Sequence, residues 1–303
     1  MTIPTGHSPS RRLMLAAGAS AAAGLAASDR GFAMETKTKT GGYAEVDGLS
    51  VYYELHGGSP TGGQTPMVLL PGGVMAIDTA FTADIIPRFS KTWPIIAIEP
   101  QGHGHTGDRE GPFKLERMSD DVAGLLNHLG VKQAHLFGHS LGGMIATGVA
   151  IRHPALAASL TTVGASYNLD GMLPELAKLQ RGEIKEPSAE LAPLLPTEAD
   201  FAAWQANYNK HNPKPETFFP VLEKLNAMLA SWEGWTPSQL GSIRAKTLVA
   251  IGDNDFTRIE HAAEMKRLIP GAQLAVLPGT THMGLIDRGA WLQPLIAARI
   301  AAA

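Results

Sequence analysis

From residue 43 onward, short β-branched or apolar runs alternate with segments whose apolar residues recur at helical spacing. Residues 44–46 and 49–55 predict a hairpin around Asp47-Gly48, a pair that favours tight turns. Apolar runs at 67–70 and 95–98 stop at Pro71-Gly72-Gly73 and at Glu99-Pro100. Further runs at 134–137, 160–163, 247–251 and 273–277 bring the strand set to eight. Continuous apolar runs bounded by turn residues suit strands covered on both faces. Between them, residues 118–129 carry apolar side chains at 118, 122, 125, 126 and 129, which is helical spacing. Residues 141–151 and 259–268 predict two more helices, the second opened by a capping box of Thr257 and Glu260. Strands alternating with amphipathic helices imply an α/β fold, a mostly parallel sheet flanked by helices. Ligand sites in such sheets lie at the carboxyl ends of the strands.

The alternation breaks between residues 165 and 243, after the sixth strand. Eight prolines split this stretch into short helical pieces, which predicts a helical lid inserted into a core of residues 34–164 and 244–303. The stretch holds eight of the chain's nineteen aromatics, enough to line an apolar pocket or to form a small core of its own.

The first 33 residues read as an address and not as fold. Arg11-Arg12 precedes an apolar and Ala/Gly-rich run that reaches Ala27, and Gly31 and Ala33 supply small residues at a cleavage site. Paired arginines with mild hydrophobicity predict twin-arginine export, transient contact with that machinery and a periplasmic location. Residues 13–27 are too short to span a bilayer comfortably, so the mature chain is expected to have no stable membrane insertion. A reporter fused to residues 1–40 should cease to be exported when both arginines become lysine.

Composition narrows the function. The chain has 303 residues, 44% of them hydrophobic, and no cysteine, which excludes thiolate chemistry and disulfides. Its 25 basic and 28 acidic residues give a net charge of -3, against the basic excess of a nucleic-acid binder. Cleavage after Ala33 removes Arg11, Arg12, Arg30 and Asp29, which leaves 22 basic and 27 acidic residues and a charge of -5.

The candidate chemistry starts at Gly138-His139-Ser140-Leu141-Gly142. This G-x-S-x-G sequence stands between an apolar strand and a helix, the context of a nucleophile elbow. There a sharp turn lifts the serine hydroxyl to a helix N-terminus. A serine needs a base to take its proton, and the partners follow in the order acid, then histidine. The strand at 247–251 runs into Gly252-Asp253-Asn254-Asp255, and the next strand leads to His282. Asp255 lies 115 residues after Ser140, and His282 a further 27.

With these residues the chain resembles the α/β-hydrolase family, specifically its lid-bearing serine hydrolases of esterase or lactonase type, over nearly all of residues 43–300. The resemblance implies an α/β-hydrolase fold with an eight-stranded sheet and a catalytic triad of Ser140, Asp255 and His282. The family places its acid at the fourth position of the Gly-x-x-Asp loop, which favours Asp255 and leaves Asp253 as a solvated turn residue. The resemblance also implies an oxyanion hole from the backbone amides of Gly73 and Leu141. Pro71 stands where the family commonly has histidine before Gly-x. The family's Asp-x-Arg-Gly-x-Gly-x-Ser loop is altered at Glu99, Gln101 and Thr106.

Other motifs carry less. Gly102–Gly107 matches G-x-G-x-x-G, but Gly111-Pro112 follows where a dinucleotide site needs a helix to open. His103 and His105 have no further ligands in sequence that would make a metal site, and His139 is expected to pack beside the elbow. The resulting expectation is a hydrolase acting through an acyl-enzyme, with no cofactor and no metal, on a small to medium neutral ester or lactone. Trp204, Phe218, Trp232 and Met172 are the candidate substrate-lining residues. A small molecule is the expected partner, with no nucleic acid, and the oligomeric state is left open. An acyltransferase or a cofactor-free haloperoxidase or perhydrolase would use the same triad, and a non-catalytic ligand-binding protein is the alternative of another class.

Overall fold

A computed structural model describes residues 40–302. The expected export segment lies outside the described residues.

The chain opens with β1 (Thr40–Val46) and β2 (Leu49–His56), antiparallel and joined through Asp47 and Gly48. Both turn residues have positive φ, 45° and 72°, as a tight two-residue hairpin turn requires. Then follow β3 (Met67–Leu70) and β4 (Ile95–Ile98), whose eight residues are all buried. The sheet is completed by β5 (Ala134–His139), β6 (Ala157–Val163), β7 (Lys246–Asn254) and β8 (Gln273–Thr281). The strand order is β1-β2-β4-β3-β5-β6-β7-β8. Pairing is parallel from β4 through β8, and β2 joins β4 antiparallel. This is the eight-stranded, mostly parallel sheet that the apolar runs predict.

Helices α1 (Ile77–Ala80) and α2 (Ile85–Phe89) connect β3 to β4. Helix α3 (Leu115–His128) packs against α4 (Leu141–Arg152), where the Ser119 hydroxyl donates to the Ile145 carbonyl at 3.1 Å. Between β6 and β7 the chain forms α5 (Pro174–Gln180), α6 (Glu198–His211), α7 (Phe218–Ser231) and α8 (Pro237–Gly241). Helix α9 (Ile259–Leu268) covers β7 and β8, and α10 (Gly289–Ala301) packs on α2. No helix among the described residues is long and apolar enough to cross a membrane.

One local expectation is corrected. Helix α9 does occupy residues 259–268, but its N-cap is Arg258, with no side-chain cap. Thr257 does not cap it. Its amide donates instead to Asp255 Oδ1 at 2.8 Å, so the residue belongs to the loop that holds the carboxylate.

Candidate active site

Ser140 sits between β5 and α4 with φ 52° and ψ -120°, a conformation that L-residues rarely adopt. Its surroundings hold it there. The Ser140 amide donates to the Val163 carbonyl at 2.8 Å, which ties the turn to the end of β6. The Ser140 carbonyl accepts from the Gly143 and Met144 amides, the first bonds of α4. Strand and helix pass so closely that a Cβ on Gly138 would collide with the Gly142 carbonyl. A Cβ on Gly142 would collide in turn with the Leu70 carbonyl. The small residues around the serine are a requirement of the crossing.

Asp255 and His282 follow β7 and β8 and are both buried. His282 Nδ1–H donates to Asp255 Oδ1 at 2.8 Å, and in the neutral ring this tautomer leaves Nε2 as the acceptor. The Phe256 ring stacks on the imidazole at 3.9 Å between centroids. Gly164, the residue after Val163, faces both groups: a Cβ built on it would lie 3.0 Å from Asp255 Oδ2 and 3.1 Å from His282 Cε1. The β6 end that binds the Ser140 amide therefore abuts the acid–imidazole pair. His139 closes the arrangement from the other side, its Nε2–H donating to the His282 carbonyl at 3.0 Å. Burial pushes His139 down to about 3, so the ring is neutral. It packs beside the elbow, as expected from sequence.

Asp253 takes a different part. Its side chain is exposed, yet its carboxylate accepts the Thr280 amide at 3.0 Å. Amide hydrogen bonds from Thr280 and Gly279 hold it below the usual carboxylate range. It pins β7 to the end of β8 and does not touch the imidazole.

Gly73 lies next to Leu141: a Cβ on Gly73 would come 3.9 Å from Leu141 Cδ2. Neither amide donates to another group among the described residues. The following residue, Val74, has φ 60° and donates its amide to His103 Nε2 at 3.0 Å. The Ile77 amide donates to Glu99 Oε1 at 3.1 Å. Glu99, fully buried, also accepts from the His105 amide at 2.5 Å and from His105 Nδ1 at 3.0 Å. The other altered positions of that loop have structural work as well. Gln101 bridges Asp108 and Arg109, and the Thr106 hydroxyl donates to the Glu99 carbonyl while accepting from the Tyr52 amide.

The four candidate lining residues separate. Met172 forms a β-bridge with Thr257, beside the acid loop. Trp232 meets Trp235 edge to face, and Trp235 Nε1 donates to the Met144 carbonyl in α4. Trp204 and Phe218 are buried against rings of their own segment, Trp204 against Phe201 and Phe218 against Tyr208 and Phe219. Leu225 of α7, which no motif marks, reaches Gly73: its Cδ2 would be 3.0 Å from a Cβ there. Among the described residues, no three His, Asp or Glu side chains converge as a metal ion would need.

A family model described as the alpha/beta hydrolase fold matches residues 65–289. The chain is 32% identical over 253 residues to the RutD protein of Azorhizobium caulinodans, which carries the name of a carbamate hydrolase. That match covers 79% of this chain and 91% of the relative. A 2-hydroxy-6-oxo-6-phenylhexa-2,4-dienoate hydrolase of Burkholderia cepacia is 27% identical, covering 75% and 79% of the two chains. Among solved structures, Est816, described as an N-acyl homoserine lactone degrading enzyme, superposes with a TM-score of 0.66 at 25% identity. It covers 84% of this chain and 99% of its own.

Proposed function

The chain belongs to the α/β-hydrolase family, and from that premise we propose that it is a serine hydrolase that cleaves a neutral ester or lactone through an acyl-enzyme. The observation that carries the reading is that the end of β6 is shared: Val163 ties down the positive-φ turn of Ser140, and the next residue, Gly164, abuts the hydrogen-bonded pair His282–Asp255. Ser140 attacks the carbonyl carbon while His282 Nε2 takes its proton. Asp255 holds the ring in the tautomer that leaves Nε2 free and stabilises the imidazolium that forms. The free amides of Gly73 and Leu141 hold the developing oxyanion, and the loss of one such donor costs about 3–4 kcal/mol of transition-state stabilisation. His282 then protonates the leaving alcohol, and water, activated by the same ring, releases the acid.

The substrate class is supported by the neighbourhood of Gly73, where the side-chain atoms nearest a Cβ would be those of Leu225 and Leu141, apolar groups that suit a neutral substrate. Of the three relatives named above, two are a carbamate hydrolase and a lactone-degrading enzyme by name. Both names describe a carbonyl that carries a heteroatom leaving group. In this reading the helical segment between β6 and β7 serves as a lid, with Leu225 as its contact over the reacting centre.

A panel of p-nitrophenyl esters of rising chain length, together with lactones, tests the proposal, with Ser140→Ala as control. Turnover that vanishes in Ser140→Ala and labelling of Ser140 by a fluorophosphonate are the expected results. A purified protein that neither turns over nor takes the label would end the reading in favour of a binding protein on this scaffold.

A further inference from the structure

We infer that His103 is a positioning residue for the reaction: it holds the Val74 amide and so leaves the Gly73 amide aimed at the oxyanion. The inference rests on the oxyanion role proposed above for Gly73.

Val74 is β-branched and lies at φ 60°, a conformation that costs free energy for such a residue and persists only where its surroundings impose it. Two bonds do so here: the Met75 amide donates to the Gly72 carbonyl at 3.2 Å, which closes a turn over Gly73 and Val74, and the His103 ring takes the Val74 amide. His103 is fully buried, and both of its nitrogens are engaged. Nδ1–H donates to the Gln101 carbonyl at 2.9 Å, which fixes the tautomer, and Nε2 accepts from the Val74 amide at 3.0 Å. The backbone of His103 is itself anchored. Its amide donates to the Pro100 carbonyl at 3.0 Å, and its carbonyl accepts the Thr106 amide at 2.8 Å. Burial keeps the ring down at about 4, so the acceptor lone pair persists through the neutral range.

The consequence falls on Gly73. The Val74 amide belongs to the peptide plane that links residues 73 and 74. Glycine has the freest backbone of all residues, so this plane, and the preceding one that carries the Gly73 amide and the Gly72 carbonyl, keep their orientation through the His103 bond and the Gly72–Met75 turn bond together. With the Val74 amide on His103, the Met75 amide on the Gly72 carbonyl, the Ala76 amide on Thr79 Oγ1 and the Ile77 amide on Glu99, the loop from Gly73 to Ile77 is held at four amides. The amide left unspent is that of Gly73, beside the equally unspent amide of Leu141. Preorganised donors that need no rearrangement at the moment of reaction are what an oxyanion site requires.

Two substitutions test the inference. His103→Phe keeps the flat ring and removes both polar atoms. His103→Gln keeps an N–H and an oxygen on either side of one carbon, as the imidazole does. Rates are measured per active site, titrated with fluorophosphonate, so that poorly folded molecules do not count. His103→Phe should lower kcat by about 100-fold with KM changed less than about threefold, the pattern of an interaction made in the transition state. His103→Gln should recover at least about tenfold of that loss. A kcat for His103→Phe within about threefold of wild type, or equal losses in both variants, would overturn the inference.

NMR of the wild-type chain decides the underlying contact without any turnover. The His103 imidazole should carry its proton on Nδ1, with Nε2 shifted as a hydrogen-bond acceptor, and the Val74 amide should exchange slowly. A proton on Nε2, or fast exchange at Val74, would also overturn the inference. If wild type lacks Ser140-dependent turnover, the proposed function fails first, and the NMR result still settles the His103–Val74 bond.

Discussion

Asp253 and Asp255 stand two positions apart at one strand end, yet they meet different partners. Asp255 is buried against His282 and the Thr257 amide, whereas Asp253 is exposed and caps the amide of Thr280. Asp255→Asn should keep the shape of the site but favour the wrong imidazole tautomer, with a loss in kcat of about 10⁴-fold. Asp253→Ala should leave turnover close to wild type and loosen the joint between β7 and β8, seen as a lower melting temperature. Steady-state rates and melts on the two variants check this, and the reverse ranking would move the acid to Asp253. Much of the candidate site is legible in the sequence at this scale, because the elbow motif and the order of strand ends predict where Ser140, Asp255 and His282 fall along the sheet. Leu225 and the clamps made by Glu99 and His103 are not legible. They depend on contacts across the fold, 22 and 29 residues apart in sequence for the two clamps, and no local pattern encodes them.

The elements follow the hydrophobic pattern where burial decides them. All eight strands are found, and those of four apolar residues, β3 and β4, keep the ends that the pattern predicts. Others run longer, as β7 and β8 do, since pairing continues past the last apolar residue into the polar site loops. Helix α10 has no counterpart in the sequence reading, in part because Pro294 lies inside it and proline usually ends a helix. Polar contacts join the segment between β6 and β7 to the core, and buried Asn212 makes two of them. Its Nδ2 donates to the Gly104 and Thr106 carbonyls at 2.9 and 3.1 Å, in the loop that also carries Glu99 and His103. Asn212→Ala should strand two buried carbonyls at a cost of about 1–3 kcal/mol per group left unpaired. Hydrogen exchange should show faster opening in α6 and α7, with β3 to β7 unchanged. Uniform destabilisation of the whole chain would show instead that the segment and the core unfold as one unit.

At the scale of the whole molecule, three neutral histidines couple folding to pH. His103, His139 and His261 are nearly or fully buried, and desolvation is the leading cause of lowered proton affinity in each. Burial pushes His103 and His261 down to about 4 and His139 to about 3. In the unfolded chain the same rings take a proton near the ordinary value of about 6.5. Between that value and the folded one, the unfolded state binds more protons, so stability rises with pH. The contribution is fully present above about pH 7 and is lost as pH falls through 6.5 toward 4. The slope is up to about 1.4 kcal/mol per pH unit for each histidine, or about 2 kcal/mol each by pH 5. Three such groups approach the whole stability of an ordinary domain, which is about 5–15 kcal/mol. Urea unfolding at pH 7.5, 6 and 5 should therefore give a steadily falling midpoint, the reverse of the trend for a protein held together by protonated histidines. His103→Gln removes one of the titrating rings, and the slope between pH 6 and 5 should become shallower. A midpoint that stays level over this range would mean that the folded chain takes up these protons as readily as the unfolded one. The three rings would then not be held neutral by burial, and His103 would lose the acceptor on which Val74 depends.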